Sequence, residues 1–208
     1  MRYLAAVAVL HLLVVPGFCQ QKDSDQRSNP SQDGASVLMY RDGAGFFIDV
    51  PKGWVVDQEV GKRHGTCCVY YPKGTTWESA ETVMYPNIAT KGPGQRTIDE
   101  FMESDLKSFR THDPEMKYED AKDIPLQNNR VAKVRVFHDV NRGSSEAVAY
   151  VDEEKIIAIF VMSSKTEKEL NDSMPLFRSA VQSYTCMNVR TSEDTREGKG
   201  KPVKLPKD

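Results

Sequence analysis

The chain has 208 residues, with 28 Lys and Arg against 30 Asp and Glu, and a formal net charge of −2. That length fits one domain with tails. A balance so near zero excludes the basic footprint of a nucleic-acid binder and an acidic surplus aimed at a polycation. Only 39% of the residues are hydrophobic, so part of the chain is expected to lie outside a packed core.

Residues 1–20 read as a secretory signal peptide. Arg2 supplies the positive start, residues 4–15 form an apolar run interrupted by His11, and Pro16-Gly17 breaks it before a cleavage after Cys19. The run is short for a membrane span, so no transmembrane segment is expected in the mature chain. A lipid anchor at Cys19 is not expected either, because Phe18 stands where a lipobox needs a small residue. Residues 21–35, QKDSDQRSNPSQDGA, are polar and aperiodic and read as a disordered linker. The expected destination is periplasmic or secreted. There the three remaining cysteines, Cys67, Cys68 and Cys186, suggest one disulfide, Cys186 with Cys67 or Cys68. The alternative is three small buried hydrophobes.

The folded region is expected over residues 36–187. Residues 36–40 and 46–50 predict two short strands across an Asp42-Gly43 turn. Pro51 ends the second, and Trp54 restarts the chain. Residues 61–65, GKRHG, read as a basic turn, residues 66–71 as a strand, and residues 72–79 as a loop carrying Trp77. Pro86 marks the strand at 82–89 as an edge or a bulged strand, since it cannot donate to a ladder. A helix is predicted over 97–110. Thr97 and Glu100 form a capping box, and Ile98, Phe101, Met102, Leu106 and Phe109 fall on one stripe.

Residues 116–120 predict a short strand and Asn128-Asn129 a turn. Three strand-like runs follow, 131–139, 145–151 and 155–163. Their short connections allow only antiparallel neighbours, which gives a meander. The run KIIAIFVM at 155–162 is the least polar outside the N-terminus. Six consecutive apolar residues there imply a strand covered on both faces, contributing on the order of 10 kcal/mol before costs. A second helix starts at Thr166, paired with Glu169 as another capping box, with Leu170, Met174, Phe177, Val181 and Tyr184 as its stripe. Pro175 predicts a kink, or a restart with Ser173 as a new N-cap. Residues 188–208 are charged in both signs and read as a disordered tail.

The stretch Gly45-Phe46-Phe47-Ile48-Asp49-Val50-Pro51-Lys52-Gly53-Trp54 matches an F-x-I-x-x-P-x-G-W pattern at Phe46, Ile48, Pro51, Gly53 and Trp54. With the element order and the closing LFRSAVQSY at 176–184, it resembles the PsbP-like, Mog-like superfamily over about residues 36–186. The resemblance implies an α+β fold, an antiparallel β-sheet flanked by helices as an α/β/α sandwich. It also implies a binding or assembly role rather than catalysis, with no cofactor. No residue matches the metal or partner site of a member, and fold does not fix task.

Chemistry-bearing candidates are few. His64, Cys67 and Cys68 lie beside Lys62 and Arg63, where a thiolate could be favoured and could bind metal or react. The alternative is a basic turn before a buried strand. His138-Asp139 and His112-Asp113 are read as a core-edge histidine and a helix-end pair. Tyr70, Tyr71, Trp77 and Tyr85 gather around one loop and are the partner-binding candidates, if exposed together. The expectation is therefore an exported, non-catalytic binding or assembly module. Its partner would be an unknown protein or small ligand, met on a sheet face that the helices leave bare or at the Trp77 loop. The alternative is a thiol- or metal-dependent activity at His64, Cys67 and Cys68.

Overall fold

The computed structural model describes residues 35–41, 44–91, 97–139 and 141–187. The stretches read as an export signal and a tail, nearly all of the one read as a linker, and the expected Asp42-Gly43 turn lie outside them.

The run that reads as an interior strand is one. Ile156–Ser164 (β9) is central in a seven-stranded antiparallel sheet and buried from Ile156 to Met162. It pairs on one side with Thr82–Thr90 (β5) and on the other with Ser145–Asp152 (β8). The meander continues through Val131–His138 (β7) to Lys117–Pro125 (β6), and beyond β5 lie Val69–Pro72 (β4) and Trp54–Asp57 (β3). The turn between β6 and β7 is sharp because Asn128 and Asn129 both take positive φ, 59° and 57°, a region that Asn tolerates better than most residues.

Pro86 does not make β5 an edge, since β5 lies between β4 and β9. Its pairing with β9 runs unbroken from Thr82 to Thr90, while β4 meets it only at Tyr70 opposite Met84. Beyond that point no strand among the described residues pairs with the outer side of β5. The carbonyl of Pro86 accepts from Thr66 Oγ1 there at 3.0 Å, so the missing N–H falls where no ladder needs it.

Both faces of the sheet are covered. One carries Ile98–His112 (α2), whose Phe101, Met102, Leu106 and Phe109 pack on Phe137, Val148, Ile157 and Ile159. Phe109 stacks on Phe137, ring centres 4.2 Å apart. The Thr97–Glu100 capping box is complete. The other face carries Glu167–Gln182 (α3) and a separate three-stranded sheet of Ser36–Arg41 (β1), Ala44–Asp49 (β2) and Thr185–Met187 (β10), in the order β1-β2-β10. Leu170, Phe177 and Val181 of α3 meet Phe46, Ile48 and Phe160 in that layer. The N-terminal hairpin thus leaves the main sheet and roofs it, so neither sheet face is bare as expected from sequence.

Three local expectations change. Residues 58–63 form a helix, Gln58–Arg63 (α1), which takes in the start of the stretch 61–65 expected as a basic turn. Asp57 caps it, accepting from the Val60 N–H at 2.8 Å. Strand β4 begins at Val69, and Thr66, Cys67 and Cys68 form the connection before it. Helix α3 runs through Pro175 without a restart, and Ser173 points its hydroxyl at Thr82 Oγ1, 3.5 Å away, instead of capping. Thr166 caps α3 through Glu169 N–H, but it also donates to the Glu169 carboxylate at 3.0 Å, so the box closes side chain to side chain.

Candidate functional site

The four aromatic candidates divide between the faces of the sheet. Strand β4 alternates, so Tyr70 points into the α3 layer while Tyr71 points the other way. Tyr70 is buried beside Cys68, and burial, then the neighbouring thiol, push its hydroxyl well above the usual tyrosine range. Tyr71 donates to Asp57 Oδ2 at 2.8 Å, and burial with that bond pushes it up to about 12. Trp77 is buried at 7% exposure, packed on Val60, Val69 and Val83. It meets Tyr85 edge-on at 6.2 Å and His64 at 5.3 Å between ring centres. The structure therefore brings His64, Tyr71, Trp77 and Tyr85 together and leaves Tyr70 out.

The thiols are divided as well. Cys68 is sealed in the α3 layer with its Sγ 3.9 Å from Met39 Sδ, away from His64 on Trp77. No disulfide joins Cys67, Cys68 and Cys186. Met39 and Cys186 both pair with Phe46, one from each side. They are thus two strand spacings apart, about 10 Å, which sets Cys186 on the far side of β2 from the Met39 that Cys68 touches. Among the described residues no group of three or more His, Cys, Asp or Glu is placed to hold a metal. His138 ends β7 half-buried, its Nδ1 3.0 Å from Ser145 Oγ, as a satisfied core-edge histidine.

A second polar group lies under α2, and sequence reasoning passed over it. Asp105 is 3% exposed in the middle of the apolar stripe. Tyr150 OH donates to its Oδ2 at 2.5 Å, while Oδ1 has no partner. Burial outweighs that bond and the nearby Arg135, and pushes Asp105 up to about 6. Glu146 approaches from β8. It keeps a hydrogen bond with Ser163, its Oε2 is covered and unpartnered, and burial aided by Asp105 and Asp139 pushes it up to about 7. Tyr85 links this group to Trp77, packing on both clusters, and its hydroxyl is held well above its ordinary range by burial, Glu146 and Asp105. Arg135 is also buried, but its guanidinium is directed to Asp120 at 2.7 Å, to Glu103 and to the Met102 carbonyl. The signal was present: Asp105 falls four residues after Phe101 and four before Phe109, on the apolar stripe, and Glu146 alternates with Val148 and Tyr150.

On the surface, the large apolar side chains that stand exposed include Leu38 at 45% and Tyr40 at 41%, both on the outer face of the three-stranded sheet. Phe47 lies opposite Leu38, and Gly45 separates Tyr40 from Met187. A Cβ on Gly45 would come 2.7 Å from the Met39 carbonyl and 3.2 Å from the Tyr40 ring, so glycine is what lets that ring lie across the strand. Among the described residues no helix is long and apolar enough to cross a membrane.

A seven-stranded antiparallel sheet, with one helix on one face and a helix plus a small sheet on the other, is the PsbP/Mog-like fold. The similarity lies in shape. The solution structure of cyanobacterial PsbP (CyanoP) from Synechocystis sp. PCC 6803 superposes with a TM-score of 0.53 at 12% identity, covering 78% of this chain and 98% of that one. The crystal structure of the Saccharomyces cerevisiae Ran-binding protein Mog1p gives 0.50 at 11% identity, covering 74% and 96%. No family model matches the sequence, and no curated protein matches it.

Proposed function

We propose that this chain is an exported, non-catalytic binding module whose partner is a protein. One observation carries the reading: Leu38 and Tyr40 stand exposed on one face of β1, an edge strand, with Phe47 and Met187 half-buried beside them. Apolar and aromatic side chains gathered at a surface mark association sites. Mog1p, one of the two superposed structures, is described as Ran-binding, which supports a protein as the class of partner. Export rests on Arg2, the apolar run and the break at Pro16-Gly17, with 36–187 as the working domain and 188–208 as its tail. Tyr71 and His64, half-buried beside Trp77, offer a smaller second surface.

The test is a pull-down from the native extract with tagged residues 20–208, wild type beside a Leu38→Lys, Tyr40→Lys double variant. A protein recovered in stoichiometric amount by the wild type and lost by a folded variant is expected. Equal recovery by the variant removes the surface from the proposal. A full equivalent of bound metal, or a thiol that reacts fast at neutral pH, replaces the binding reading with the alternative at His64, Cys67 and Cys68. Mass spectrometry of the mature N-terminus tests export, with cleavage after Cys19 as the expected result.

A further inference from the structure

Asp105, buried, and Glu146, half-buried, are acids that the binding surface does not use. They come from two different elements, the helix α2 and the strand β8, and each presents a covered oxygen with no hydrogen-bond partner, Oδ1 and Oε2. A covered carboxylate oxygen that accepts nothing costs free energy when charged and much less when protonated. The groups acting on the pair come from every element packed around it. Tyr150 of β8 donates to Asp105, and Tyr85 of β5 and Ser163 of β9 sit beside Glu146. Arg135 of β7 is the cation acting on Asp105, and Asp139, just past β7, adds negative field at Glu146. Arg135 does not balance two charges there. It already bonds Asp120 and Glu103 through Nε and Nη1. The charge excess is therefore negative, enclosed, and placed at the seam between a helix and the sheet.

We propose that α2 is a proton-controlled cover, seated firmly on its face of the sheet when Asp105 and Glu146 are neutral and loosened when both are charged. Loosening lets water reach the two oxygens and uncovers Phe101, Tyr150, Ile157 and Ile159, an apolar surface separate from the one at Leu38 and Tyr40. The sign follows from the raised pKa values, about 6 and about 7, against ordinary values of 3.8 and 4.5. Each acid favours the seated helix fully below its ordinary value, and that preference is lost as pH rises through the raised one. The working window is thus mildly acidic to neutral.

Hydrogen exchange read by mass spectrometry on the full mature chain tests this, at pH 5.5 and pH 8.0 with correction for intrinsic rates. Protection of α2 is expected to fall by roughly ten- to a hundred-fold over that interval, while α3 on the opposite face does not follow. Asp105→Asn and Glu146→Gln, singly and together, should flatten the α2 response and raise its protection at pH 8.0. Protection in α3 confirms that each variant is folded, and the single variants carry the test if the double one is not. The proposal is overturned if α2 tracks α3 at both pH values, or if the pH response survives in the folded variants.

Discussion

The two faces of the central sheet are built from the same parts and differ in what they enclose. Each is covered by a helix that starts at a Thr N-cap and presents an apolar stripe. Under α3 the interior is mainly aromatic and aliphatic: Phe46, Phe160 and Tyr184 meet ring against ring, with centres 5.2 to 5.8 Å apart. Under α2 an acid sits inside the stripe, facing a second acid and two tyrosines. The difference teaches that one strand can serve two kinds of interior. Strand β9 gives Phe160 to the aromatic side, and Ile159 and Ser163 to the side that holds charge.

The strongest way to break the comparison is to open the aromatic side. Phe46→Ala removes a fully buried ring that touches both Phe160 and Tyr184. It should cost about 3–5 kcal/mol, and the loss, measured by urea denaturation, should be the same near pH 5 and near pH 8. The side that holds the acids should answer in the opposite sense. Asp105→Asn should stabilise the domain by about 2–3 kcal/mol near pH 8, since the pKa of Asp105 is raised from 3.8 to about 6. Below about pH 4, where the acid is neutral folded and unfolded, the gain should vanish. Glu146→Gln should behave alike with its window shifted upward, as its value near 7 requires. An equal effect of Asp105→Asn at both pH values would show that the carboxylate is not the cause.

Smaller changes sharpen the contrast. Thr97→Ala removes one half of a complete capping box and Thr166→Ala the cap of α3, so each should cost about 1 kcal/mol by thermal unfolding. Thr97→Ala should lower α2 protection selectively. Leu38→Lys, on the outer face, should move stability by less than about 0.5 kcal/mol and show itself only in partner recovery.

Most of the architecture was legible because it is periodic. The six apolar residues from Ile156, the stripes of both helices and the short links of the meander each dictate a local geometry, and the geometries agree. What was not legible depends on partners distant in sequence. Nothing in residues 36–50 says that their hairpin pairs with Thr185–Met187 rather than joining the main sheet. Helix α1 hides because Gly61 sits in it. A Cβ there would come 2.5 Å from the Cys68 backbone, so the glycine serves close packing and reads, in sequence, as a turn. The aromatic candidates scatter for a similar reason. Alternation separates Tyr70 from Tyr71, but which face holds the acids is decided by α2. Asp105 was the readable feature that went unread, since an acid on an apolar stripe is itself a statement about burial.

The border strand β6 has a consequence for how the molecule behaves in company. Lys117, Glu119, Asp120, Lys122 and Asp123 line it, most of its side chains face solvent, and its register slips between Ala121 and Ile124. A second molecule that tried to extend the sheet here would have to flatten that irregularity and set charged side chains beside one another. The fold therefore closes its longest open margin to fibre-like stacking, and leaves at β1 a short margin whose exposed side chains, Leu38 and Tyr40, are apolar and aromatic.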